Sequence, residues 1–113
     1  MTSDYEIKSI SNKQEAEELL EKSRNRIDEI DNELFDLIYQ RTALAQDIAL
    51  SKEYLGMPIF DESREDIVHE KIDTLCRELG LDVDIIDQIV DMLTILNKNE
   101  QEKILRRNVD GQY

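Results

Sequence analysis

NKQEAEELLEKSRNRIDEIDNELFDLIYQRTALAQDIALSKEY, residues 12–54, contains neither proline nor glycine. Stepping through it by threes and fours from Leu20 meets Ser23, Ile27, Ile30, Leu34, Leu37, Arg41, Leu44, Ile48, Ser51 and Leu55, so eight of eleven seam positions are apolar. That period predicts an amphipathic helix. Ser11 and Gln14 have capping-box spacing, which places the helix start at Asn12. Gly56 and then Pro58 stop it, because glycine accepts the left-handed conformation after a last turn and proline cannot continue a helix. At about 1.5 Å per residue such a helix is roughly 64 Å long. A compact globule of this chain length is only about 35 Å across, taking a radius of gyration of about 13 Å. The excess length predicts a helix that spans two protomers and buries its seam in an interlocked homodimer.

Working outward, Asp61 is placed to cap a second helix that runs to about Leu79 and closes at Gly80. Its stripe is Val68, Ile72, Leu75 and Leu79. Asp82 or Asp84 caps a third, which runs through Ile104 and carries Ile85, Ile86, Ile89, Val90, Met92, Leu93, Ile95 and Leu96 around most of its girdle. Such a helix belongs at the centre of a bundle. The fold expected is all-α, a three-helix chain with one very long first helix in an intertwined homodimer. Residues 1–11 form a flexible extension, 12–105 the helical domain and 106–113 a flexible tail.

Composition agrees and narrows the function. The chain has 113 residues, enough for one core. Six aromatic residues, three glycines and one proline argue against a sandwich or barrel. A lone cysteine, Cys76, excludes an internal disulfide framework, and a lone histidine, His69, makes a histidine-rich metal site implausible. No apolar stretch reaches membrane-spanning or signal-peptide length, so a cytoplasmic protein without membrane association is expected. A net charge of -13 repels phosphate backbones and argues against nucleic acid as a partner.

The three breaks in the first seam each coincide with, or adjoin, a cation: Ser23 beside Arg24, Arg41 itself, and Ser51 beside Lys52. A charge on a packed seam needs an anion, either a neighbouring carboxylate or a bound ligand. Arg41 and Lys52 are eleven residues apart, about 20° of rotation and roughly 16 Å of rise. They share a face and can touch opposite ends of one small molecule. Arg24 lies roughly 26 Å from Arg41 along the axis, so it reaches that ligand only from the other chain of an antiparallel pair. Arg64 and Glu65 occupy the first turn of the second helix, where an acid also suits the macrodipole. Asn97 and Gln101, four apart on the third helix, continue a buried stripe, as a register-fixing pair or as ligand contacts.

Elimination leaves binding rather than bond-making side chains. No serine or cysteine nucleophile stands in a recognisable pattern with histidine, and Cys76 lies among apolar residues as a small core side chain. Asp66 and His69 have the spacing of half a carboxylate-bundle metal motif, but a second histidine is lacking, so His69 reads as a surface residue and no metal is expected. No glycine-rich phosphate loop occurs. Several cations, one acid and two amides remain, converging on a small polyanion.

Over about residues 19–104 the sequence resembles the all-helical class of chorismate mutases. The resemblance rests on Ser23-Arg24-Asn25-Arg26-Ile27-Asp28-Glu29-Ile30-Asp31, the Arg41 to Lys52 segment, Met57-Pro58-Ile59 followed by Asp61, Arg64 and Glu65, and the late Asn97 and Gln101. It implies a dimer of three-helix chains that rearranges chorismate to prephenate, without a cofactor, in the synthesis of phenylalanine and tyrosine. It also implies two equivalent sites, each borrowing an arginine from the partner. By that likeness Arg24 is donated across the interface, Arg41 binds a substrate carboxylate, and Lys52 and Gln101 hydrogen-bond the ether oxygen. Glu65 holds the ring hydroxyl with help from backbone near Asp61, and Arg64 supports the charge network. Asn97 stands where many members have serine, so its own substrate contact does not follow from the likeness. Two other functions fit the same pattern: an isochorismate pyruvate lyase on this scaffold, and a non-enzymatic dimerisation module whose polar seam residues specify register.

Overall fold

The computed structural model describes residues 9–110, with side chains described through Arg107. Four helices follow one another: α1 (Lys13–Ala43), α2 (Ala45–Leu55), α3 (Glu62–Leu79) and α4 (Val83–Asp110). The expected first helix is thus two segments meeting at Leu44. Leu44 keeps a right-handed φ of -67° but a ψ of only -13°. Helical bonding still passes through it, from Leu44 N–H to the Gln40 carbonyl at 3.3 Å and from Ile48 N–H to the Leu44 carbonyl at 3.1 Å. The cause lies next door. Asn97 Nδ2 donates to the Arg41 carbonyl at 3.0 Å, the group that would serve Ala45 in a regular helix. A side chain inserted into the ladder loosens it locally.

The helix ends follow from their residues, with one shift. The N-terminal cap of α1 is Asn12 rather than Ser11: Asn12 Oδ1 accepts from Glu15 N–H at 2.9 Å, and the Glu15 carboxylate reaches back to Ser11 N–H at 2.9 Å. A carboxylate satisfies an orphan donor more strongly than the Gln14 amide, so the box moves one residue along. At the end of α2, Gly56 adopts φ 69°, its N–H bonds the Glu53 carbonyl, and Met57 N–H bonds the Lys52 carbonyl at 2.8 Å. That 6→1 and 5→2 pairing is a Schellman closure, and only glycine takes the left-handed step without strain. Asp61 caps α3 and Asp82, not Asp84, caps α4. The last helix runs to Asp110, past the end expected at Ile104. Residues 1–8 of the expected extension, and 111–113 of the expected tail, lie outside the described residues.

The chain divides into two units, the first ending at Tyr39 and the second beginning at Gln40. The first is the N-terminal part of α1, a helix with no buried residue: Leu20, Ile27, Ile30, Leu34 and Leu37 are all exposed. In the second unit α4 packs against both α2 and α3, the central place its apolar girdle predicts. Ala45 and Ala49 are fully buried, and such small side chains let α2 approach α4 closely. Cys76 and Val90 complete the buried apolar set, so Cys76 is a core residue as expected, its thiol pushed up by burial. The girdle is nevertheless only half covered. Ile85, Ile89, Met92, Ile95 and Leu96 remain exposed within one chain, because the two helices packed on α4, α2 and α3, cannot enclose its whole circumference. Among the described residues no helix is long and apolar enough to cross a membrane.

Candidate active site

In the second unit, the last turn of α1 together with α2, α3, α4 and the connection 57–61 lines a cavity of about 430 Å³. Arg41, Lys52, Asp61, Arg64, Glu65, Asn97 and Gln101 line it, seven of the eight residues singled out from the sequence. Arg24, the eighth, belongs to the first unit and is not among the lining residues. Leu44, Ile48, Ile59 and Val68 supply apolar wall.

Its polar floor is one continuous hydrogen-bonded line. Lys52 Nζ donates to Gln101 Oε1 at 3.1 Å, Gln101 Nε2 donates to Asn97 Oδ1 at 2.7 Å, and Asn97 Nδ2 donates to the Arg41 carbonyl. Gln101 is 3% exposed and Asn97 9%, so both need partners, and the helix spacing of four supplies one to each. The ammonium fixes the sense of the line. Lysine only donates, so the Gln101 oxygen must face it and the Gln101 nitrogen must face away. Lys52 Nζ also donates to the Ile59 carbonyl at 2.6 Å, pinning the turn after Pro58 against α2. The Arg41 guanidinium is anchored by one nitrogen to the Leu93 carbonyl at 2.9 Å, which leaves further donors of the fork for a ligand.

At the opposite wall Asp61 is committed to its helix. Its Oδ1 accepts from Arg64 N–H at 3.1 Å and from the Ser63 hydroxyl at 2.9 Å. These two bonds, with the nearby charges of Lys52 and Arg64, hold its carboxyl below the usual carboxylate range. Glu65, one turn further on, faces Lys98 of α4 with Nζ 3.3 Å from Oε2. Lys98 lines the cavity and went unnoticed in the sequence. Its position, beside Asn97 and three before Gln101, puts it on the rim of the same helix face, a signal that helical spacing alone carries. Thr94 is a second such residue, one turn before Lys98.

His69 is not a free surface residue. Its Nδ1 lies 3.3 Å from Asp87 and its Nε2 2.8 Å from Asp91, so it ties α3 to α4 away from the cavity lining. Among the described residues no group of three or more His, Cys, Asp or Glu side chains is arranged to hold a metal ion. The cavity therefore offers four cationic groups, two carboxylates and two amides on apolar walls. Such a set can bind and bend a small polyanion and place positive charge where negative charge develops.

Comparison with known proteins points the same way. A chorismate mutase of Methanocaldococcus jannaschii is 41% identical over 88 residues, 78% of this chain and 89% of that protein. No solved structure matches. The family described as chorismate mutase type II matches residues 23–107, from the residue before Arg24 to beyond Gln101. A match of that extent, over every helix that builds the cavity, makes the chain a member of the chorismate mutase type II family.

Proposed function

We propose that the chain converts chorismate to prephenate in this cavity, as a homodimer in which the second subunit contributes Arg24 to each site. The rearrangement is intramolecular and passes no proton to the protein, so it needs neither base nor nucleophile. The protein acts by holding the rare chair-like conformer and by stabilising charge as the C–O bond breaks. Arg41 grips one substrate carboxylate through the donors its Leu93 anchor leaves over. Lys52 and the remaining Nε2 hydrogen of Gln101 meet the ether oxygen, where negative character accumulates. Glu65 accepts the ring hydroxyl, and Arg64 strengthens the positive field. Asp61 serves through the backbone that its cap fixes, and Asn97 acts through Gln101 rather than on the substrate.

The observation that carries this reading is the Lys52 to Gln101 contact inside the cavity. It holds the Gln101 amide against the ammonium, and Nε2 keeps one hydrogen beyond its bond to Asn97 Oδ1, so each residue retains a donor for the same ligand. The second subunit is supported by the uncovered seam of α1 and the uncovered half of the α4 girdle, an apolar surface that a chain bearing so much charge exposes at a cost unless it is paired. The test is turnover of chorismate by the full chain. Lys52→Ala should lose about 3 kcal/mol of transition-state stabilisation, the magnitude of removing an oxyanion-type donor. Unchanged turnover in a folded Lys52→Ala protein refutes the assignment. Isochorismate offered side by side should release no pyruvate.

A further inference from the structure

We propose that Lys98 is a positioning residue that holds the Glu65 carboxylate as the acceptor for the substrate's ring hydroxyl and offsets its charge against a dianionic ligand. The inference rests on the reading of the cavity as a chorismate site. Lys98 Nζ contacts Glu65 Oε2 at 3.3 Å, with both side chains only 26% exposed. The same ammonium sits 5.0 Å from the centroid of the Phe60 ring. Carboxylate and ring face together confine a side chain that otherwise has many rotamers. The ion pair engages Oε2, so Oε1 is left to receive a hydroxyl donor.

The two lysines of the cavity differ in what they touch. Lys52 bonds two neutral oxygens, Gln101 Oε1 and the Ile59 carbonyl, so its charge stays available to an anion. Lys98 is paired with a carboxylate, and its charge is largely answered there. This pairing resolves a difficulty in the cavity's design. An acid is the right acceptor for a hydroxyl, yet an uncompensated acid beside two ligand carboxylates repels them in a partly dry site. Lys98 permits the acceptor without the repulsion. Lys98 is thereby a determinant of specificity for a hydroxylated dicarboxylate over one lacking the hydroxyl.

The experiment is calorimetry of the full chain with two bicyclic dicarboxylate analogues of the transition state, one bearing the ring hydroxyl and one without it. Wild-type protein should favour the hydroxylated analogue by about tenfold or more, the range of a hydrogen bond to a charged acceptor. Lys98→Met should cut that preference below about threefold, and Lys98→Arg should keep most of it. In a Glu65→Gln background, Lys98→Met should change the preference no further. Thermal melts establish that each variant is folded, and Lys98→Gln replaces Lys98→Met if the latter is not. Weakening toward both analogues is expected from the uncovered Glu65 charge, but weakening that leaves the wild-type preference intact overturns the positioning role, because the ammonium would then act only as charge toward the ligand carboxylates. An unchanged preference in a folded variant overturns it as well. Wild-type protein that binds neither analogue removes the chorismate reading itself, and the role of Lys98 with it.

Discussion

Asn97 serves two groups shielded from solvent, the buried Gln101 Nε2 and the half-buried Arg41 carbonyl. Removing it in Asn97→Ala strands both, and each buried orphan costs about 1–3 kcal/mol. Urea denaturation should show a loss of that order. The effect on catalysis should appear in kcat more than in KM, because Gln101 loses the partner that steadies its nitrogen while Arg41 still binds substrate through its guanidinium. A loss of stability with kcat unchanged would make Asn97 purely structural. The Asn97 and Gln101 pair was legible in the sequence, since two amides four apart on an apolar stripe must find each other or a ligand. Which way the amides point was not, because that depends on the ammonium of Lys52, 49 residues from Gln101 in sequence. Lys98 was hidden for a related reason. In a chain with 14 basic residues a helical lysine looks like any solvated cation until Glu65 of α3 is packed against it.

Between α3 and α4, outside the cavity, His69 lies between Asp87 and Asp91, and Asp73 lies one turn along α3 from it. The Asp87 hydrogen bond, with the Asp91 and Asp87 charges, raises the His69 pKa despite partial burial. Asp73 is raised too, first by burial and then by the charge of Asp87 and a hydrogen bond to it, with Arg77 and His69 opposing. Asp73 Oδ1 is buried without a hydrogen-bond partner, and a protonated Asp73 carboxyl could donate to Asp87. Both shifts have the same sign for stability. A raised folded pKa gives a contribution fully present below the unfolded value, about 6.5 for histidine and about 3.9 for aspartate, and lost as pH climbs through the folded value. The melting temperature should therefore fall as pH rises above about 6.5, and His69→Gln should flatten that part of the profile. A wild-type profile that rises over this interval would contradict the imidazolium bridge. The element ends were the most readable part of the sequence, since Gly56, Asp61, Gly80 and Asp82 each act through local chemistry. The interruption at Leu44 was unreadable, because it comes from a side chain 53 residues further on, Asn97.

For the whole molecule, the proposed second subunit would cover the exposed seam of α1 and the exposed part of the α4 girdle. If each site takes Arg24 from the other subunit, mixing Arg24→Ala with Lys52→Ala protein makes heterodimers with one intact site and one doubly altered site. After subunit exchange, activity should return to about a quarter of wild type, since half the dimers are mixed in a statistical population. No recovery after demonstrated exchange argues for sites complete within one chain. The charge of the molecule sets a further test. A net charge of -13 repels a dianionic substrate at long range, while four cations against two carboxylates attract it once it is inside the cavity. Salt separates the two effects. The screening length shrinks from about 30 Å at 0.01 M to about 8 Å at 0.15 M ionic strength, which suppresses distant repulsion and leaves contacts within the partly buried cavity nearly untouched. Added salt should therefore raise kcat/KM across that interval and leave kcat constant, the reverse of an enzyme whose overall field steers its substrate in. A fall in kcat/KM with salt would mean that the cations around the cavity govern the approach as well as the binding.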